Sequence, residues 1–111
     1  MDNTIKYRAI LTEYFQSMVQ DWTNNSSEEV KMISDKNQNH FLILYYGWSN
    51  GSHMHSVPVH IEIKNNKVWI QENMTEIEID DDLIARGIAK SDIVLGVIPP
   101  EYRQYSEFAV A

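Results

Sequence analysis

Residues 40–72, HFLILYYGWSNGSHMHSVPVHIEIKNNKVWIQE, decide how the rest of the chain is read. His40–Trp48 is dense in aromatic and branched side chains, which suit a pleated, half-buried surface. Asn50-Gly51 follows, and both residues tolerate the positive φ that a tight hairpin turn demands. Met54–Lys64 then reads as the returning arm. Asn65-Asn66 is a second two-residue turn, and Lys67–Glu72 is the next strand. The three runs form an antiparallel meander.

Two-residue loops fix a register. Ser49 pairs with Ser52, so Leu42 faces Val59 and Leu44 faces Val57. At the second turn Ile63 faces Val68 and Ile61 faces Ile70. Alternation then collects Leu42, Leu44, Val57, Val59, Ile61, Ile63, Val68 and Ile70 on one face, the face expected under the helices. The other face carries Phe41, Ile43, Tyr45, Pro58, His60, Glu62, Trp69 and Gln71. A solvated antiparallel face alternates to polar, and this one does not. Partial cover by the C-terminal segment, with the remainder open to self-association or a partner, is the expectation. Phe41, Ile43, Tyr45, His60 and Trp69, with Tyr102, Arg103, Tyr105 and Phe108 of the tail, are the candidate interface. Pro58 cannot donate to a ladder, so it marks an edge or a bulge, and a bulge there shifts the register.

Outside the meander, Tyr7, Leu11, Phe15, Met18 and Trp22 recur at helical spacing, widened by Ile10, Tyr14 and Val19. They predict an amphipathic helix over 4–22. Asp2, Asn3 and Thr4 are its cap candidates. Val30–Ser34 is a short strand, closed by turn-forming Asp35–Asn39. Thr75-Glu76-Ile77-Glu78 has the capping-box pattern, which predicts a helix to Arg86 with Gly87 just past its end. Ile93–Ile98 reads as a last buried strand, ended by Pro99-Pro100. The fold class is α+β: an N-terminal helix and a second, shorter helix packed on an antiparallel β-meander sheet. All of 1–111 reads as one domain.

Nine basic and 16 acidic residues give a net charge of −7. Autonomous duplex binding draws on Lys and Arg against phosphate, so this balance argues against it and favours a cationic protein partner. The chain has no cysteine, which removes disulfides, thiolate zinc sites and cysteine nucleophiles. The most apolar run, Phe41–Tyr46, is far short of the ~20 residues of a membrane span. Asp2, Lys6, Arg8 and Glu13 leave no apolar leader. A cytoplasmic protein with no membrane contact is expected.

Signature chemistry is sparse. His53 and His55 share one strand face, and His60 and Glu62 share one, but odd and even positions point oppositely on a regular strand. A metal or hydrolytic site built from these four residues therefore needs a bulge or a second chain. Asp80–Asp82 lack the spacing and glycine of a calcium loop. No nucleophile elbow, dinucleotide fingerprint or P-loop is present, and the chain has only four glycines. No catalytic residue, metal ligand or cofactor is assigned. Tyr102-Arg103-Gln104-Tyr105 pairs aromatics with a base, but Glu101 and Glu107 flank it, which suits a packed arm better than a stacking groove.

Several strings resemble one family. They are Gly47-Trp48 before the hairpin turn, Val59–Lys64, Lys67–Gln71, Thr75-Glu76, Leu83-Ile84 before Gly87-Ile88, and Ser91–Gly96. The closing stretch from Asp92 to Ala111 is the most specific, with Pro99-Pro100, Arg103, Tyr105 and Glu107–Ala111. Ile5–Arg8 also fits. On these residues the chain is similar to the XisI family, the fdxN-element excision controlling factors of cyanobacteria. Val97-Ile98 departs from the Phe-His of the family pattern, so no family role is carried to that position. The resemblance implies a control factor for programmed excision of a DNA element, acting with a companion, XisH, beside a separate site-specific recombinase. The apolar second sheet face and the charge of −7 add the expectation of protein contacts, a homo-oligomer with a dimer favoured, and indirect contact with nucleic acid. Two alternatives stand: a directly DNA-binding recombination directionality factor, and a small metal-binding or hydrolytic domain using the histidines.

Overall fold

The computed structural model describes residues 2–111. Helix α1 runs Thr4–Asn24, followed by β1 (Glu29–Ser34), β2 (His40–Ser49), β3 (Ser52–Lys64) and β4 (Lys67–Asn73). Helix α2 (Ile79–Ala85) and β5 (Ile93–Leu95) complete the regular elements, with 3-10 turns at Lys90–Asp92 and Pro100–Tyr105. The strands form one sheet in chain order, β1 to β5. The first four are antiparallel. The fifth runs parallel to β4, because α2 carries the chain back across the sheet before β5 begins.

The turns follow the sequence. Asn50 and Gly51 have φ of 52° and 79°, and Asn65 and Asn66 have 55° and 62°. These are the paired positive values that match hairpin twist. Between β1 and β2 the Asp35 carboxylate accepts the amides of Asn39 and His40, both at 2.7 Å. Those bonds hold the Asp35 carboxyl below its ordinary range, the His40 amide contributing most.

Helix α1 lays Tyr7, Leu11, Tyr14, Phe15 and Met18 on the sheet. Beneath them lie Val30, Phe41, Ile43, Val59, Ile61, Ile63, Val68 and Ile70, joined by Ile79, Leu83, Ile88 and Ile93. The β2 half of this list corrects the sequence register. Phe41 and Ile43 are fully buried under the helices, while Leu42 and Leu44 point the other way. The cause is a bulge at Val57-Pro58. Tyr45 pairs with Ser56 and Ile43 with Val59, so two β3 residues oppose Leu44 alone. Pairing from the turn to Tyr45 is the predicted one; beyond it, every β2 residue presents the opposite side to that expected. The second hairpin holds its register to Ile61–Ile70, then shifts at Gln71.

Helix α2 is shorter than its capping-box pattern predicts. Thr75 Oγ1 is bonded to Asn73 Oδ1 at 2.5 Å and accepts the Ile77 amide at 3.1 Å, so Thr75 closes a turn and caps nothing. The helix begins four residues later, at Ile79. Its end is as read: Gly87 takes φ of 107°, and the Gly87 and Ile88 amides bond back to Ile84 and Leu83 carbonyls. Strand β5 is also shorter than Ile93–Ile98. It turns at Gly96, where a Cβ would lie 2.3 Å from Gln71 Oε1.

Candidate interaction surface

Cross-strand partners share a sheet face, so the register defines the side away from the helices. At the β4–β5 end the chain covers this side itself. Val94 and Trp69 are register partners there, at 0% and 6% exposure. The Trp69 indole donates to the Lys64 carbonyl at 3.0 Å. The Lys64 ammonium lies 4.2 Å from the Trp69 ring centroid and the Arg103 guanidinium 5.3 Å. Arg103 Nε in turn donates to the Ile98 carbonyl at 2.9 Å. Ala109 bridges to Val94, closing that edge. The expected partial cover by the C-terminal segment is present.

Across β1, β2 and β3 the same side is bare. Ile33, Leu42 and Leu44 stand beside Tyr46, Val57 and Trp48, with Trp48 70% and Ile33 44% exposed. The bulge has a further effect here. It switches the parity of β3, so His53 and His55 on one side of Pro58 and His60 and Glu62 on the other share this face. His40, the register partner of Glu62, joins them. All four histidines lie on one side of the sheet.

His40 and His60 touch. Nδ1 of His40 is 3.1 Å from Nε2 of His60, their rings stack at 5.3 Å, and His40 Nε2 lies 3.6 Å from a Glu62 oxygen. Gln71 Nε2 donates to the other Glu62 oxygen at 3.0 Å. Burial lowers the His60 pKa, and the neighbouring His40 lowers it further. His53 lies tilted against Trp48 at 5.1 Å and His55 against Tyr46 at 6.3 Å, both near the hairpin tip. Five residues of strand separate His55 from His60, about 16 Å at about 3.3 Å per residue. The two pairs therefore share a face without sharing a centre. Among the described residues, no group of three or more His, Cys, Asp or Glu is placed to hold a metal ion.

The candidate interface residues divide accordingly. His60 lies on the bare face. Phe41 and Ile43 are core, and the bulge is why. Tyr45 also turns to the helix side: its hydroxyl donates to Glu28 at 2.8 Å and lies 3.1 Å from Ser26 Oγ. Trp69 is buried beneath the tail. Phe108 packs against the core with the Lys90 ammonium 5.2 Å from its ring centroid. Tyr102 and Tyr105 are 58% and 78% exposed on the tail's outer side, and Arg103 faces inward to Trp69. Sequence reasoning missed Leu42, Leu44 and the His40 contact. Pro58 was the signal for all three, since one extra β3 residue sets His40 opposite Glu62.

The helix side is acidic. Asp80, Asp81 and Asp82 form the first turn of α2. Glu78 precedes them, and its carboxyl is pushed up chiefly by a hydrogen bond with Asp81. A shallow groove of about 380 Å³ between the helices is lined by Tyr14, Met18, Asp21, Trp22, Asp82 and Arg86, among others. Tyr14 donates to Asp82 at 2.7 Å, and burial with that carboxylate pushes the phenol far above its ordinary value.

These features define a class: a small α+β domain whose sheet packs under helices on one side and is half bare on the other. The chain belongs to the XisI family, whose model, described as XisI protein, matches residues 1–110. Two crystal structures from Anabaena variabilis ATCC 29413 are similar to it. A XisI-like protein superposes with a TM-score of 0.74 at 29% identity, covering 91% of this chain and 99% of that one. The fdxN element excision controlling factor XisI superposes at 0.69 and 29% identity, covering 92% and 99%. No curated protein matches the chain. Among the described residues no helix is long and apolar enough to cross a membrane.

Proposed function

We propose that the chain is a control factor for excision of a DNA element, acting through protein contacts and not as a catalyst. Membership of the XisI family supports the excision role, as does likeness to a structure named as an fdxN element excision controlling factor. The bare apolar half of the sheet is the observation that carries the contact role. Such surface is costly to leave in water and marks association. The partners are an XisH-like protein, a site-specific recombinase complex and further copies of the chain, with a dimer favoured. DNA is reached through these partners, in the cytoplasm. Co-expression of the tagged chain with the XisH-like protein of the same genome tests the reading. A stoichiometric complex surviving gel filtration is the expected result. Separate elution of the two proteins would overturn it.

A further inference from the structure

The bare sheet face is neutral in a chain that is not. The register places Lys31, Lys64 and Lys67 on it together with Glu29, Glu62 and Glu72, three of each sign. The whole net charge of −7 therefore lies elsewhere, much of it around α2 on the opposite side. A second copy docked face to face would bury Leu42, Leu44, Val57 and Trp48 while holding the two acidic helix layers outward, as far apart as the fold allows. A docking through the α2 side would instead set Asp80, Asp81 and Asp82 of one copy against those of the other.

The histidines add a condition. All four lie on this face, and neutral they are compatible with an apolar interface. Protonated, they would bring up to four positive charges per copy into a surface that must lose water. The groups facing the central pair are Glu62 from β3 and Glu72 from β4. From β1 the neighbour is apolar Ile33, and Asp35 lies below the His40 amide. Glu62 is already engaged by Gln71, so these few carboxylates cannot balance protonation of both copies.

We propose that the occupant of the bare face is a second copy of this chain, packed isologously, and that the assembly holds only while His40, His53, His55 and His60 are neutral. This rests on the self-association part of the function above and names its surface and its control.

Sedimentation velocity of the full chain at about pH 8 and about pH 5 tests it. A dimer at the higher pH is expected, with the dissociation constant rising about 100-fold at the lower, because burial in the interface disfavours the protonated rings. Leu44→Lys should give a folded monomer at both. The variant with all four histidines changed to Gln should stay dimeric at both. A wild-type monomer at about pH 8, a dimer indifferent to Leu44→Lys, or an unchanged pH response in the Gln variant would each overturn the proposal. So would a monomeric chain that binds a labelled oligothymidylate of about 20 nucleotides and loses it on Leu44→Lys, since the occupant is then nucleic acid. Companion capture is scored separately: a monomer that still captures the XisH-like protein defeats this inference alone.

Discussion

The two sides of the sheet are built from neighbouring residues of the same strands and have opposite fates. Under the helices, Phe41, Ile43, Val59 and Ile61 lose all contact with water. On the far side, one residue along, Leu42 and Leu44 keep part of theirs. Side-chain type does not separate them, since β2 reads as a continuous apolar run. A single inserted residue in β3 does. It sets which half of the run enters the core, and it carries His40, His60 and Glu62 to the open side together. The position of a bulge thus chooses both the core and the surface.

Removing that residue is the harshest way to break the contrast. Deleting Pro58 restores strict alternation between β2 and β3. Either Phe41 and Ile43 then leave the core, or Val59, Ile61 and Ile63 do. The Met74 amide, bonded to the Pro58 carbonyl at 2.8 Å, loses its partner as well. Loss of the cooperative thermal transition is the expected outcome, read by circular dichroism. A deletion variant that melts like the parent would show that the faces are not set here.

Paired truncations measure the same contrast with the register kept. Phe41→Ala should cost about 3–5 kcal/mol in urea unfolding, because a fully buried aromatic leaves a cavity. Leu44→Ala, on the bare side, should cost under about 1 kcal/mol in the monomer, since its methyl groups already meet water. Equal costs at the two sites would mean that the open side is covered within the chain.

How much of this was legible in the sequence depends on which residues carried the signal. Asn50-Gly51 and Asn65-Asn66 have few other uses, and both hairpins were readable from them. The stripe of α1 was readable because five large residues repeat at its period. Face assignment was not, because period-two counting has no memory of an insertion; only Pro58 hinted at one. The capping box failed because Asn73, two residues before Thr75, competes for its hydroxyl. The tail was legible as packed, but Arg103 over Trp69 depends on the parallel strand β5, and nothing in residues 93–98 announces its direction. The histidine contact followed from the bulge and was lost with it.

A gentler probe tests where the closed side ends. Tyr14→Phe removes the hydroxyl that ties α1 to Asp82 of α2. Asp82 keeps access to water, so a loss of about 1 kcal/mol is expected, with the helices still seated. A loss as large as that from Phe41→Ala would place the two-helix seam, and not the sheet contact, at the centre of stability.

The smallest effect concerns Tyr45, the last large β2 side chain on the helix side. Hydrogen bonds from Ser26, then Tyr45 and Ser49, hold the Glu28 carboxyl down to about 2 from an ordinary 4.5. A carboxyl depressed in the folded state contributes stability that is fully present above about 4.5 and is lost as pH falls towards 2. Glu28 is only half-buried, so solvent screens the contribution and the titration itself is the better readout. Following the Glu28 carboxyl carbon by NMR, Tyr45→Phe should raise its midpoint, and Ser26→Ala should raise it further, because the serine bond is the larger cause. If Tyr45→Phe leaves the midpoint where it was, the Tyr45 hydroxyl does not reach Glu28. The closed side would then stop at Ile43, and the bare surface would extend around the hairpin on both of its faces.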